Sequence, residues 1–345
     1  MRNGRYIYCN LCTVKTTTRI FKRTLVFLIV CLLITSGIAI YTLLKTEPPI
    51  FKGEILSDIP YSNTQTLDIY QPIKRVFQKS PVVIFIHGGA WIFGRKTSIN
   101  FNRFNPAVNR LRNKGYTVIS PSYTLATDDK SPFPDCINDV YKAINWVNAV
   151  ADSLELDQNN LTLFGESAGA HLALMAAFDA QLPNIDFKRP RFNCIVDVYG
   201  PTDLNLIYQN EVLDSVNHWM NKLPDALLPA HDITSYLFGF DPKVDSLKAF
   251  AFMKKYSPLS YLINSQVAPV LIIQGAEDQV VPQIQSLVLK KRLDSLSISN
   301  ELHILPQVNH AFIGATDAQK QQVQDWIVSF IVRNTKSELA IPEEN

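Results

Sequence analysis

Gly165-Glu166-Ser167-Ala168-Gly169 places a serine between two glycines, after the apolar run Leu161–Phe164 and at the head of an alanine-rich stretch. A serine held at a sharp strand-to-helix turn needs small residues on both sides, because the turn is strained and adjacent backbone passes close by. Gly165 and Gly169 supply them, which makes Ser167 the candidate nucleophile. A serine hydroxyl attacks an acyl carbon only with a base to take its proton and donors to hold the oxyanion that forms. The spacing of the remaining chemistry-bearing residues is therefore read against those two needs.

Of the six histidines (His87, His171, His218, His231, His303 and His310), the base must follow the last strand in a loop that returns over the serine. Leu302–Leu305 leads into Gln307-Val308-Asn309-His310, so His310 is the candidate; His303 falls within the strand itself. His87 and His171 read as satisfied structural groups beside the site, and His218 and His231 as surface groups. The acid that orients the imidazole should follow the preceding strand, and Val270–Gln274 runs into Gly275-Ala276-Glu277-Asp278. Asp278 is the candidate, Glu277 the runner-up, and Asp203 a third possibility that otherwise caps or shapes the segment after Gly200-Pro201-Thr202. The donors are sought in His87-Gly88-Gly89-Ala90-Trp91, where two glycines let backbone N–H groups of a loop turn toward a ligand. Gly88, Gly89 and the Ala168 N–H would form the oxyanion hole.

Positioning these groups requires a sheet. Short apolar runs recur at Val82–Ile86, Thr117–Ser120, Leu161–Phe164, Cys194–Val198, Val270–Gln274 and Leu302–Leu305, each bounded by Gly, Pro or Asn. Such runs predict strands buried on both faces, as in a parallel sheet. Helical stretches fall between them at about Phe101–Asn113, Asp135–Val150, Ala168–Gln181, Pro282–Leu296 and Asp317–Val332, with Pro282 placed to start its helix. This alternation predicts an α/β fold with a mostly parallel, doubly wound sheet and helices on both faces. Thr66–Tyr70 alternates apolar and polar residues and reads as an antiparallel edge strand. Between Pro201 and Gln266 no clean strand appears. Leu227, Leu228, Leu237, Phe238, Phe240, Phe250 and Phe252 sit there among loops and short helices, which predicts a cap over the carboxyl edge of the sheet, about residues 204–266.

The chain has 345 residues, 47% hydrophobic and 19% charged, which excludes disordered and fibrous classes. Its net charge of +2 hides an asymmetry: residues 1–46 hold seven Lys/Arg and no acid, and the remainder carries 26 basic against 31 acidic residues. A mildly acidic domain has no footprint for phosphate backbones, so nucleic acid is not an expected partner. Cys9 and Cys12 supply half of a tetrahedral zinc site at most, and no metal site is expected. Cys136 and Cys194 are either a pair or two separate buried thiols.

Leu25–Leu44 is a run of twenty residues without charge, and a helix of that length covers the ~30 Å hydrocarbon core of a bilayer. Six Lys/Arg precede Leu25 and only Lys45 follows closely, which predicts an N-terminus in the cytoplasm and everything after Lys45 outside it. The competing reading is a cleaved signal peptide, with Gly37-Ile38-Ala39 as the cleavage site and a secreted or periplasmic product. The predicted organisation is a basic cytoplasmic tail (1–24), a transmembrane signal anchor (25–44), a linker (45–54), the catalytic domain (55–335) and a C-terminal tail (336–345).

Together these residues resemble the α/β-hydrolase superfamily, specifically the carboxylesterase branch related to hormone-sensitive lipase and to bacterial esterases with an HGGAW-type oxyanion motif. The similarity covers about Ile55 to Val332. It rests on Leu67-Asp68-Ile69-Tyr70-Gln71-Pro72, on HGGAW at His87–Trp91, on GESAG at Gly165–Gly169, and on the Asp278 and His310 loops, in the chain order Ser167, Asp278, His310 that this fold uses. The resemblance implies hydrolysis of a small-molecule or lipid-like carboxylic ester through an acyl-enzyme on Ser167, without metal or organic cofactor. A lipase, a polysaccharide-ester deacetylase and a peptidase share this triad; a non-catalytic hydrolase-fold adhesion module is the contrasting class. Two departures stand out. The family often has Tyr-Arg-Leu where this chain has Tyr123-Thr124-Leu125, so that a buried arginine contact is absent or replaced. It also often has a second glycine where Ala170 follows the serine motif.

Overall fold

Every one of the six apolar runs forms a strand. The computed structural model describes residues 53–101, 103–127, 130–178, 180, 190–209, 237–263, 266–336 and 338–339. The chain divides at Pro48/Pro49, and every described residue lies in the second unit. Strands β1 (Ile55–Pro60), β2 (Thr66–Tyr70), β3 (Ser80–Ile86), β4 (Thr117–Pro121), β5 (Leu156–Glu166), β6 (Phe192–Val198), β7 (Val270–Gly275) and β8 (Asn300–Leu305) build one sheet in the order β1-β2-β4-β3-β5-β6-β7-β8. All neighbours from β4 to β8 are parallel, whereas β2 runs antiparallel to both β1 and β4.

Alternation along the strands divides the apolar side chains between two cores. Val82, Ile84 and Ile86 of β3 face a core closed by α2 (Asp135–Val150), α3 (Ala168–Ala177) and α6 (Ile284–Ser295). Val83 and Phe85 face the other, closed by α1 (Asn105–Asn113) and α7 (Asp317–Asn334). A strand with apolar residues on both faces must be covered on both. The same geometry answers the cysteine question: Cys136 belongs to the first core and Cys194 to the second, so both are free thiols separated by the sheet.

Several expectations need correction. Thr66–Tyr70 is a strand but not the edge, because β1 pairs along its outer side and leaves it mostly buried. β1 itself escaped notice because Asp58 takes a left-handed conformation (φ 60°) at a register shift, which breaks any apolar alternation. Of the stretch Phe101–Asn113 only Asn105–Asn113 is helical: α1 starts at Asn105, with Pro106 in its first turn, and a separate 3-10 turn at Lys96–Asn100 precedes the stretch. α3 ends at Ala177 and not near Gln181, and α6 opens at Ile284, two residues after Pro282.

Between β6 and β7 the described residues include the helices α4 (Leu204–Gln209) and α5 (Ser246–Lys255), with a 3-10 turn at Pro258–Ser260. Leu227, Leu228, His218 and His231 lie outside the described residues, as do the predicted span Leu25–Leu44 and the tail before it. Among the described residues no helix is long and apolar enough to cross a membrane.

Candidate active site

β5 ends on Glu166 and α3 begins at Ala168, so a single residue turns the chain from strand to helix. That residue, Ser167, adopts φ 51°, ψ −122°, a conformation that costs a side-chain-bearing residue about 1–3 kcal/mol. Its surroundings hold it there: the Ser167 N–H donates to Val198 O at 2.9 Å and the His171 N–H to Ser167 O at 3.1 Å. The neighbouring glycines are required by close approach. A Cβ on Gly165 would lie 2.4 Å from Gly169 C, and one on Gly169 would lie 2.1 Å from Ile86 O.

Opposite the serine, the loops after β7 and β8 are stitched together. Glu277 N–H donates to Val308 O at 3.0 Å, and the Asn309 side-chain oxygen accepts from the N–H groups of Gln279 (3.0 Å) and His310 (2.6 Å). This brings His310 Nδ1 to 2.8 Å from Asp278 Oδ2 and His310 Nε2 to 3.1 Å from Ser167 Oγ. Asp278 is fully buried yet saturated. Its Oδ1 accepts from the N–H groups of Val280 (2.9 Å) and Val281 (2.8 Å), and its Oδ2 from Gln274 Nε2 (3.0 Å) besides the imidazole. Four donors fill the acceptor capacity of one carboxylate and fix its plane. With Nδ1 donating to Asp278, Nε2 is left with a lone pair toward the serine hydroxyl, the arrangement for removing its proton.

The glycine loop after β3 closes the third side. Gly89 has φ 121°, and its carbonyl accepts from both Ile92 (3.0 Å) and Phe93 (2.8 Å) N–H groups. A Cβ there would lie 2.2 Å from Phe93 O. Gly88 lies against the nucleophile, since a Cβ on it would meet Ser167 Cβ at 3.3 Å. Ala168 is the first residue of α3, so its N–H has no partner within the helix. Gly88 and Ala168 therefore border Ser167, and Gly89 follows next along the glycine loop. His87 braces the loop from below, stacked on Tyr123 at 4.3 Å; burial lowers its proton affinity and leaves the ring neutral.

The other titratable candidates lie elsewhere. Glu277 is exposed to solvent, and Asp203 Oδ1 accepts from the Asn205 N–H at 2.9 Å at the start of α4. His303 stacks on Trp326 at 4.0 Å, with Nε2 3.5 Å from Glu301. His171 is buried in α3, where Nε2 lies 2.7 Å from Tyr256 O in the segment between β6 and β7; burial lowers its pKa to about 4. Trp91, Phe133, Tyr256 and Phe252 surround that contact as an aromatic wall, with ring separations between 4.7 and 5.9 Å.

Three supporting groups left no signal that sequence reasoning used. Gln274, at the end of β7, donates to Asp278 and accepts from Ser286 Oγ at 3.0 Å. Glu166, buried immediately before the serine, accepts from Arg103 Nη1 (2.6 Å) and from the Tyr199 hydroxyl (2.9 Å). Asp197 of β6 stands beside Gly165 in the sheet, fully buried. Its Oδ1 accepts from the Gly200 N–H at 2.9 Å, its Oδ2 has no partner among the described residues, and burial pushes its pKa up to about 7. Where the resembling family often has an arginine, the Thr124 N–H (3.0 Å) and hydroxyl (2.5 Å) both donate to the buried Asp139 carboxylate.

A family model described as BD-FAE matches residues 67–293. Over 283 residues the chain is 28% identical to Esterase LipQ of Mycobacterium tuberculosis; the match takes in 80% of this chain and 61% of LipQ, so the chain spans about three fifths of that relative's length. It is also 28% identical over 253 residues to an arylesterase of Saccharolobus solfataricus, covering 64% of this chain and 77% of that one. Among solved structures, a truncated form of a carbohydrate esterase from gut microbiota superposes with a TM-score of 0.62 at 20% identity, covering 84% of this chain and 99% of the other. The two share the α/β-hydrolase fold.

Proposed function

The chain belongs to the BD-FAE family, and from that premise we propose that it is a serine carboxylesterase, cleaving carboxylic esters through an acyl-enzyme on Ser167. The observation that carries the reading is the unbroken line of hydrogen bonds from Asp278 through His310 to Ser167, at 2.8 and 3.1 Å. His310 takes the hydroxyl proton as Ser167 Oγ attacks the ester carbonyl carbon, and the resulting imidazolium is stabilised by Asp278. The N–H groups of Gly88, Gly89 and Ala168 receive the oxyanion. Collapse of the tetrahedral adduct expels the alcohol, which takes the proton back from His310. A water then repeats the sequence on the acyl-enzyme: His310 removes its proton, the acid is released and Ser167 regains its hydrogen. Each step uses groups of the chain itself.

Names of relatives support ester hydrolysis without choosing a substrate. LipQ is called an esterase, another relative an arylesterase, and a fold neighbour a carbohydrate esterase. The deciding test is hydrolysis of p-nitrophenyl esters from two to sixteen acyl carbons by the full chain and its Ser167→Ala variant. Turnover that peaks at short acyl groups and disappears in the variant is expected for a carboxylesterase. A long-chain optimum would redirect the reading to a lipase, and turnover persisting in the variant would refute the acyl-enzyme.

The proposal extends to location. Leu25–Leu44 serves as a signal anchor holding the catalytic unit outside the cytoplasm, supported by its twenty uncharged residues and the six Lys/Arg before it. Retention of the chain in alkaline-washed membranes, with the catalytic unit open to external protease, is the expected result. Release of a shortened protein would instead indicate signal cleavage.

A further inference from the structure

Glu166 brings a carboxylate into the tightest part of the molecule. It is the residue before Ser167, its side chain is 8% exposed, and its Cγ lies 3.2 Å from where a Cβ on Gly88 would stand. The Tyr199 hydroxyl links it to the base: that hydroxyl donates to Glu166 Oε2 and accepts from Arg103 Nη1 at 2.7 Å. The Tyr199 ring in turn stands edge-on to His310, with ring centres 4.7 Å apart, and to Phe312 at 5.0 Å. Burial keeps the Tyr199 hydroxyl protonated and so able to donate. A negative charge in this position lies beside the oxyanion loop and one aromatic ring from the imidazole. Uncompensated, it would oppose the oxyanion and favour the protonated, inactive imidazole.

We propose that Arg103 is a positioning residue for this reaction: it neutralises Glu166 and, through the Tyr199 hydroxyl, holds the ring that fixes His310. The inference rests on Ser167 as nucleophile and His310 as base. Arg103 reaches the site from the segment before α1, and its main-chain oxygen is held by Gln324 Nε2 of α7 at 2.9 Å. The described groups whose charge bears on Glu166 are Arg103, Tyr199, His87 and Tyr123. Those facing His310 are Asp278, Ser167 and Tyr199. Burial holds His87 neutral and Tyr123 protonated, so Arg103 is the cation in this set.

The test is the pH dependence of kcat and kcat/KM for p-nitrophenyl butyrate, measured on the full chain in mild detergent. In Arg103→Met the acid limb of the profile should move up by about one pH unit, as expected for a unit charge one ring away. Near neutral pH kcat should fall at least tenfold, with KM within about twofold. Glu166→Gln leaves the guanidinium uncompensated and should move the same limb down. The double variant should return the limb to its original position and recover most of the lost kcat. Arg103→Lys should stay near the wild-type limb. A purely structural salt bridge would lower activity evenly across pH and give no shifts of opposite sign; that pattern overturns the proposal. If Arg103→Met does not fold, Glu166→Gln decides alone, since a limb that stays in place refutes the charge argument. An inactive wild type, or turnover surviving Ser167→Ala, would fail the underlying esterase reading instead.

Discussion

Replacing Asp197 by asparagine should stabilise the protein at neutral and alkaline pH while leaving it nearly unchanged in acid. The side chain is fully buried on β6, with one oxygen accepting from the Gly200 N–H and the other without a described partner. Burial raises its pKa from 3.8 to about 7. Below pH 3.8 the group is protonated in both the folded and unfolded chain and contributes no difference. As pH rises from there, the unfolded chain loses this proton while the folded one keeps it, so stability falls until the folded group also ionises near pH 7. An interval of about three pH units corresponds to about 4 kcal/mol, a large fraction of a domain's net stability. Asparagine keeps the acceptor for Gly200 and has nearly the same shape, so it matches the protonated acid and carries no penalty above about pH 7. Urea denaturation of the full chain in mild detergent, at intervals from about pH 4 to 9, measures the difference. The variant's advantage should be near zero at about pH 4, grow through about pH 5 and 6, and level off above about 7. An advantage that does not change with pH would refute the assignment of a buried protonated acid.

Other outcomes follow from the same contacts. Asp278→Asn should lower kcat by roughly 10³–10⁴, because the imidazole loses the carboxylate that sets its tautomer, and should also lower the melting temperature, because the amide nitrogen faces donors that the buried carboxylate accepts from; steady-state kinetics beside a thermal melt checks this. Gly89→Ala places a Cβ 2.2 Å from Phe93 O, so the loop must move, and loss of one oxyanion donor should cost about 10²–10³ in kcat. Thr124→Val removes the hydroxyl donor to buried Asp139 and should cost about 1–3 kcal/mol in urea unfolding without altering KM. Cys136 and Cys194 lie in different cores, so reductant should leave the melting temperature unchanged, and Cys194, its thiol pushed up to about 12, should resist alkylation in the folded protein.

The sheet was legible because parallel strands buried on both faces must be apolar throughout, and each such run between β3 and β8 is bounded by a turn residue. The elbow was legible because close packing at Gly165 and Gly169 dictates residue type. What stayed hidden depends on contacts between residues distant in sequence. β1 carries a left-handed aspartate and little apolar periodicity, so only its pairing with β2 identifies it. Glu277 and Asp278 are adjacent and chemically alike; one faces solvent and the other the imidazole, a difference set by the register of the turn after β7. Arg103 and Tyr199 stand 96 positions apart, and nothing local to either announces that they meet over Glu166.

The segment between β6 and β7 is rooted at two nearby points. Leu204 N–H donates to Ser257 Oγ at 2.8 Å across 53 positions of chain, and Leu259 N–H donates to Thr202 O at 3.1 Å. Thr202 and Asp203 are clamped in turn to the Gln285 side chain of α6. A loop whose ends are already fastened side by side can change length at little entropic expense, since each doubling adds only about 0.6 kcal/mol to closure. Such a segment is a replaceable part: it can be shortened, lengthened or exchanged between relatives while Ser167, Asp278 and His310 keep their mutual geometry. The length of this segment and the geometry of those three residues are then separable traits, free to drift at different speeds and open to being engineered one without the other.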